Sequence, residues 1–255
     1  MTVMDCLQAW LTKRLSPEAA QWLEERLALV AGGDRKALFL AFGLAVRKTG
    51  KADLQLTPEE LAQAEQARPG WCPTLWSVDQ AARTLLILSY PSERAAEYRK
   101  TLDQLFSTGE VQELVALYQA LPLLPHPEEF VFRGTEGIRT NIKSVFCAVA
   151  HQNPYPAEHF SDDQWNQMVL KAIFINVPLA PIIGLDQRAN ATLARILFDY
   201  AQERKAAHRP VTPELWRCVG PFADEAMSQE LRRLAEQGTE LEQEVAQTAL
   251  ARGQR

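Results

Sequence analysis

The sequence predicts an all-α protein whose antiparallel helix pairs stack as a compact HEAT-like, α-solenoid-type bundle. Two observations favour this class. Apolar residues recur three and four positions apart along most of the chain, and no stretch alternates with a period of two. Short connections between the predicted helices favour antiparallel neighbours. No repeat of fixed period is found, so the stacking is inferred from the helix pattern alone.

The first half of the chain carries clear helix-start signals. Ser16 and Thr57 are each followed by proline and then glutamate. The hydroxyl can accept a bond from an unpaired backbone N–H, proline has no N–H to leave unpaired, and the acid faces the positive end of the helix dipole. Together with the apolar spacing, these signals predict helices over residues 4–14, 17–31, 34–48, 58–67, 76–89, 92–107 and 109–121.

The second half repeats this pattern, with Thr212 as a third start signal of the same kind. Helices are predicted over residues 135–151, 162–176, 189–208 and 223–250. The helix over 162–176 is apolar around nearly its whole circumference, which predicts burial, and Lys171 lies in the narrow polar lane that remains.

A proline-rich segment over residues 121–127 is the best candidate for an internal boundary. We therefore expect an N-terminal helical half over 1–125, a C-terminal half over 126–222, and a last helix with its tail over 223–255. The three parts are expected to form one continuous domain, because no long flexible linker separates them.

Composition narrows the possible partners. The 255 residues are 47% hydrophobic and 23% charged, an ordinary globular balance, and the net charge of −5 argues against nucleic acid as a partner. The four cysteines lie far apart, and no apolar run is long enough to cross a bilayer or to form a secretory leader. We expect a cytoplasmic protein with reduced thiols and no transmembrane segment.

Several motifs of the second half, taken in order, resemble the EboA domain family. They are H-P-E-E-F from His126, E-G-I-R-T-N from Glu136, N-P-Y-P-A from Asn153, W-N-Q-M-V-L-K-A from Trp165, G-L-D-Q-R-A-N from Gly184, and P-E-L-W-R-C-V-G-P-F from Pro213. The resemblance is strongest over residues 121–222. It implies a protein encoded in a bacterial gene cluster beside a prenyltransferase, and associated with making or exporting a metabolite. It supplies no catalytic residues and no cofactor.

Charged residues of the first motif form one candidate ligand site. On the predicted helix over 135–151, Glu136, Arg139 and Lys143 share a face, with Asn141 to one side. The arginine fork and the lysine charge could hold an anion. A solvated helix face with internal ion pairs explains the same residues.

Acidic residues and histidines suggest two possible metal sites. Asp162 and Asp163 begin an aspartate-rich segment of the kind that holds Mg²⁺ against a diphosphate. The favoured alternative is a helix start capped by Ser161. His151 and His159, near Glu158, could ligate a metal, but their spacing matches no known site, so no metal is assigned.

Another candidate ligand site precedes the predicted helix over residues 189–208. Asp186 and Arg188 could bind an anion at the helix start, although capping by Asn190 or Asp186 is the favoured interpretation. Trp216 is expected in the core rather than on a binding surface.

The leading functional hypothesis is a non-catalytic helical adaptor or binding protein of a secondary-metabolite pathway related to isoprenoids. Its partners would be other gene-cluster proteins. The alternative is an enzyme or carrier of a hydrophobic, prenylated or phosphorylated metabolite. Its pocket would be lined by Trp165, Phe174 and Tyr155, with polar anchors at Glu136, Arg139, Asn141 and Lys171. No familiar catalytic motif occurs in the sequence, and the cofactor, if there is one, is unknown.

Overall fold

A computed structural model describes residues 1–253 of the chain. Within that range the structure consists of helices without any strand, which confirms the predicted all-α class. One isolated antiparallel bridge joins Asp53 and Ser77. The HEAT-like stacking of the helix pairs stays a prediction.

Contacts along the chain define two units, of which unit 1 is Met1–His159 and unit 2 begins at Phe160. The boundary predicted after residue 125 divides the chain by motif and stays a prediction. Unit 1 contains α1 (Val3–Arg14), α2 (Pro17–Ala31), α3 (Arg35–Thr49), α4 (Pro58–Ala67), α5 (Val78–Ser89), α6 (Ala95–Thr108), α7 (Val111–Gln119), α8 (Val131–Arg139), α9 (Lys143–Ala150) and α10 (Tyr155–His159). Unit 2 contains α11 (Asp162–Phe174), α12 (Ala191–Ala206), α13 (Trp216–Val219), α14 (Glu225–Gln237) and α15 (Glu240–Gly253).

Two of the three predicted start signals cap helices. The Ser16 hydroxyl accepts from the Ala19 N–H at 3.3 Å, and Thr57 accepts from the Glu60 N–H at 3.3 Å. At Thr212 a helical segment does begin with proline, as a 3-10 turn over Pro213–Leu215 that continues into α13, but the Thr212 side chain makes no cap bond.

Helix α5 lies at the centre of unit 1 and packs against α1, α2, α3 and α7. Every residue from Val78 to Ile87 is buried, including the charged pair Asp79 and Arg83. The Arg83 guanidinium bonds the Asp79 carboxylate and also donates to the backbone oxygen of Phe42 on α3 at 3.0 Å. The pair is tolerated in the core because each charged group has bonded partners.

Two long predicted helices are each broken in the structure. The helix expected over 135–151 is interrupted between α8 and α9, where the Thr140 hydroxyl accepts from the Ile142 N–H at 3.1 Å. The helix expected over 223–250 is interrupted between α14 and α15, where Gly238 is extended and Thr239 caps a new helix through Glu242. In both cases a local side-chain bond to the backbone competes with the helix.

Helix α11 is less uniformly buried than its sequence suggests. Trp165, Met168 and Val169 are buried, as expected, but Phe174 is 70% exposed. The helix ends at Phe174 rather than at 176, so its last apolar residue lies at the surface of unit 2. Leu241, in the first turn of α15 after the helix break, is 57% exposed.

In unit 2, α15 packs against α14, α13 and the 3-10 turn over Gly220–Phe222. Helix α12 packs against α13, where the buried Trp216 contacts Phe198 edge to face at 6.4 Å. The expectation that Trp216 belongs to the core is therefore confirmed.

We predict that Arg83→Met lowers the free energy of unfolding by about 3–5 kcal/mol, because the substitution leaves the Asp79 carboxylate buried without its cation. Chemical denaturation of both proteins measures the difference. The matched control is Arg94→Met, since the Arg94–Glu97 pair is 78% and 69% exposed and such pairs contribute less than about 1 kcal/mol. An effect of Arg83→Met no larger than that of the control would contradict this account.

Glu60 gives unit 1 a specific acid sensitivity. Its buried carboxylate accepts from Arg14 at 2.6 Å and from Lys13 at 2.9 Å, joining the end of α1 to the start of α4. Bonding to Arg14 is the main reason that the pKa of Glu60 falls from 4.5 to about 2. Because the folded-state pKa is the lower one, this contribution is present above pH 4.5 and is lost as the pH falls towards about 2.

We therefore expect the Glu60 interactions to contribute about 3 kcal/mol at neutral pH, lost between pH 4.5 and about 2. Denaturation across this range should show a smaller pH-dependent loss in Glu60→Gln than in the unsubstituted protein. The neighbouring exposed Glu59→Gln serves as the control. Equal acid sensitivity of the Glu60 and Glu59 variants would overturn the assignment.

Candidate functional site

The charged residues of the E-G-I-R-T-N motif lie on the surface of unit 1. Glu136 and Arg139 form an ion pair at 2.9 Å across one turn of α8, and both are exposed. The helix break after Arg139 places Lys143 at the start of α9, so the predicted shared face with Lys143 is wrong. Asn141 lies exposed in the turn between the two helices.

Tyr155 has a structural place in unit 1. Its side chain is fully buried, and its hydroxyl donates to the backbone oxygen of Pro127 at 2.5 Å. Its ring lies 4.6 Å from the His159 ring. Burial raises the pKa of the Tyr155 phenol, which stays protonated as a donor.

Trp165 and Arg188 lie together in unit 2. The Arg188 guanidinium stands 5.1 Å over the buried Trp165 ring and donates to the Asp162 carboxylate at 3.0 Å. Ser161 caps α11 by accepting from the Gln164 N–H at 3.3 Å, which agrees with the favoured interpretation of the acidic segment. Lys171 is half-buried in the last turn of α11.

Asp186 is the centre of a charge cluster in unit 2. Arg217 donates to both of its oxygens, at 2.7 and 2.8 Å, and Arg252 donates at 2.9 Å. These bonds, with Arg217 first, hold the pKa of Asp186 below its usual value. Asn190 caps α12 by accepting from the Leu193 N–H at 2.8 Å, so the cap is the asparagine rather than Asp186.

Two properties of the described chain bear on what it can bind. Among residues 1–253, no group of three or more His, Cys, Asp and Glu residues could hold a metal ion. None of the helices in the same range is long and apolar enough to cross a membrane.

Unit 2 contains a cleft of about 410 Å³ beside the Asp186 cluster. Helix α15 supplies six of its ten lining residues, with Arg217 and Arg252 at the charged side. Glu214, also in the lining, accepts from the Leu179 N–H at 2.7 Å. Within unit 2, Asp186 thus already pairs with Arg217 and Arg252, and a backbone N–H already bonds Glu214.

Unit 1 contains a cleft of about 300 Å³ with a different character, called here the tryptophan cleft. Its lining is aromatic, amide-bearing and aliphatic: Trp71, Cys72, Leu75, Trp76, Gln80, Gln112, Val115, Gln119, Ser144, Cys147, Ala148, His151, Gln152 and Asn153. Within the described chain this lining includes no Asp, Glu, Lys or Arg. Of the residues considered as ligands in the sequence, His151 belongs to this lining, whereas the assigned candidate ligand residues do not.

The loop that carries both tryptophans is fixed at several points. Arg68 donates to the backbone oxygen of Pro122 at 3.0 Å and pairs with Glu158. The Leu54 N–H donates to the Trp76 oxygen at 2.8 Å, beside the Asp53–Ser77 bridge. The Trp71 and Trp76 rings meet edge to face at 5.8 Å. These bonds hold the aromatic wall in place without a ligand.

The opposite wall is fixed by the N-P-Y-P motif. The Asn153 amide donates to the backbone oxygens of Tyr118 on α7 and Ala148 on α9, at 3.0 and 2.9 Å, and its oxygen accepts from the Tyr155 N–H. Gln152 adopts a left-handed backbone conformation at φ 51° and accepts from Thr74 at 2.8 Å. The motif therefore ties α7, α9 and the tryptophan loop together around the cleft.

Sequence reasoning missed the tryptophan cleft, although two signals were available. Asn153 was recognised as part of a motif but not as a structural amide, and the segment R-P-G-W-C-P-T-L-W places two tryptophans in a proline- and glycine-containing loop. Large aromatic residues in a loop need a partner surface to be buried. Which helices would supply that surface depends on contacts distant in sequence.

The chain is thus a helical protein with a fixed, uncharged cleft in its first unit. A family model described as "Metabolite traffic protein EboA" matches residues 3–220, and the chain belongs to this family. The match confirms the resemblance seen in the second half and extends it across unit 1, including the whole tryptophan cleft. Searches of curated proteins and of solved structures give no significant match.

Gly137, in the E-G-I-R-T-N motif, allows the close approach that supports the cleft. A Cβ atom at this position would lie 2.6 Å from Val149 Cγ2 and 2.7 Å from the Tyr118 ring. Tyr118 also provides a backbone acceptor for Asn153. A side chain at 137 would therefore push against both helices that Asn153 joins.

We predict that Gly137→Ala lowers the free energy of unfolding by about 1–3 kcal/mol through this overpacking. The matched control is Gly43→Ala, within α3, where a Cβ atom meets nothing closer than 3.6 Å. That substitution should stabilise the protein by up to about 1 kcal/mol, because alanine favours the helix. Thermal or chemical unfolding compares the two, and equal effects would contradict the assigned role of Gly137.

Proposed function

We propose that this protein is a non-catalytic binding protein that holds a small organic metabolite in the tryptophan cleft during metabolite traffic. The observation that carries the proposal is a preformed, uncharged, aromatic cleft that lies wholly within the range matched by the family. Its volume of about 300 Å³ is at the lower end of the range usual for small-molecule sites.

The fixed walls of the cleft support a binding site rather than a packing defect in the core of unit 1. Asn153, Arg68 and the Asp53–Ser77 bridge hold the lining through bonds to separate segments of the chain. A preformed site avoids the entropy loss of ordering loops when the ligand enters, and so favours affinity.

The chemistry of the cleft favours binding over catalysis. Cys147 and His151 both line it, one helical turn apart, and this is the arrangement that could suggest a nucleophile with its base. Burial, however, raises the pKa of the Cys147 thiol. A thiol with a raised pKa is less often the reactive thiolate, and this supports a lining role for the pair over a catalytic one.

The proposal places the protein in a cytoplasmic, gene-cluster-encoded pathway of secondary metabolism related to isoprenoids, where it acts as an adaptor for a pathway enzyme. Support for the pathway comes from the family resemblance, and support for a metabolite comes from the family description. The unit 2 cleft is a weaker candidate for a family-wide role, since its α15 residues lie beyond the matched range.

Native mass spectrometry of the protein, purified gently from its own host, tests the proposal. We expect a small-molecule mass to be retained, and we expect Ser144→Trp to abolish it. Ser144 lines the cleft from an exposed position, so a bulky side chain there blocks the site without entering the core. Ser144→Ala and Arg139→Ala are the controls, and both should retain the mass.

Two results would count against the proposal. Retention of the small molecule by Ser144→Trp would place the ligand outside the tryptophan cleft. The second result is a protein that carries no small molecule and is bound only to another cluster-encoded protein. It would favour an adaptor that binds proteins alone.

A further inference from the structure

Resting on the proposed function, we infer that the tryptophan cleft takes an uncharged, planar aromatic ligand that carries a hydroxyl group. The ring would lie against Trp71 and Trp76, and the hydroxyl would satisfy the Trp71 N–H and the Gln119 side-chain oxygen. The inference depends on the charge of the lining, on its aromatic wall and on two polar atoms without partners.

The lack of charged side chains in the lining disfavours ionic ligands. No Asp, Glu, Lys or Arg lines the cleft in the described chain, and His151 has its own partner within the protein. A carboxylate or phosphate that enters such a site loses its water without gaining a cation, and this disfavours binding. A neutral ligand avoids that loss.

The aromatic wall favours a flat ring. Trp71 and Trp76 are 2% and 5% exposed and meet at an interplanar angle of 65°. Trp71 also packs on Trp10 at 5.2 Å, which fixes the ring from behind. Rings of this kind bind another aromatic ring by offset or edge-to-face contact.

Two buried polar atoms of the lining lack a hydrogen-bond partner: Trp71 Nε1 and Gln119 Oε1. Two other amide oxygens of the lining have partners: that of Gln80 accepts from the Ser77 N–H, and that of Gln152 accepts from the Thr74 hydroxyl. An indole N–H can only donate, and an amide oxygen can only accept. A hydroxyl group can accept from the first and donate to the second.

Both unpaired atoms are covered from bulk water in the structure. A ligand therefore reaches these atoms, and more than an edge of either tryptophan ring, only if a side chain of the lining moves aside. Leu75 is 75% exposed and lies outside the core, so its side chain can move without loss of core packing. Burying two polar groups without partners is unfavourable, and a ligand that pairs them recovers this free energy.

The experiment titrates the full chain with three probes of one shape: p-cresol, toluene and p-toluate. The readout is the set of indole N–H signals in ¹H–¹⁵N correlation spectra, with the Trp71 signal assigned by its loss in Trp71→Phe. We expect p-cresol to shift this signal and to bind about 10-fold more tightly than toluene. We expect p-toluate not to bind.

Gln119→Met and Gln112→Met form a matched pair for the hydroxyl contact. Both glutamines line the cleft, but only Gln119 has the unpaired buried oxygen. Gln119→Met should weaken p-cresol binding about 5-fold, towards the level of toluene, because the Trp71 N–H contact remains, and should leave toluene binding unchanged. Gln112→Met should leave both unchanged, which also shows that a methionine in the lining does not itself distort the cleft.

Three results would overturn the inference: no binding of p-cresol, binding of p-toluate as tight as that of p-cresol, or equal weakening of p-cresol and toluene by Gln119→Met. The proposed function would survive each of them if the metabolite from the host were still lost in Ser144→Trp. Only the class of ligand would then be wrong. Retention of that metabolite in Ser144→Trp would instead remove the proposed function itself.

Discussion

Unit 1 depends on one buried ion pair in a helix that is covered on all sides. Asp79 and Arg83 are 4% and 2% exposed, and Arg83 also bonds the backbone of α3. A charged pair in a core is stable only while both groups keep their partners, so the bond from Arg83 to Phe42 ties the position of α5 to that of α3. The helices around α5 are therefore held in one arrangement.

The tryptophan cleft lies at the beginning of that anchored helix. Trp76 immediately precedes the Ser77 cap, and Gln80, in the first turn of α5, both lines the cleft and accepts from the Ser77 N–H at 2.8 Å. Asn153 fixes the other wall through α7 and α9. The bonds of Gln80 and Asn153 to the backbone hold the walls of the cleft. The ligand contacts proposed above use other atoms, so a ligand can bind without breaking these bonds. That separation suits a protein that binds and releases a molecule without changing it.

Unit 2 uses charge differently. Its buried Trp165 is covered by Arg188, and Asp186 is shared between Arg217 and Arg252. Asp186 and Arg188 were singled out in the sequence as a possible anion site, and the structure shows each of them engaged with a neighbour in its own unit. Charged motif residues in this family member thus join segments of the fold, whereas the candidate ligand site is lined by neutral side chains.

The sequence by itself determined the all-α class, most helix bounds and the caps at Ser16, Thr57 and Ser161, because apolar spacing and capping act over a few residues. It also carried the family motifs. The predicted helices were wrong at Thr140 and Gly238. There, side-chain and turn bonds interrupt helices that the apolar pattern would continue. Only the tertiary structure decided that Asp79 and Arg83 are buried, and that Trp71, Gln119 and Asn153 meet around one cleft. Burial and convergence depend on which distant segments pack together, and no local pattern encodes those contacts.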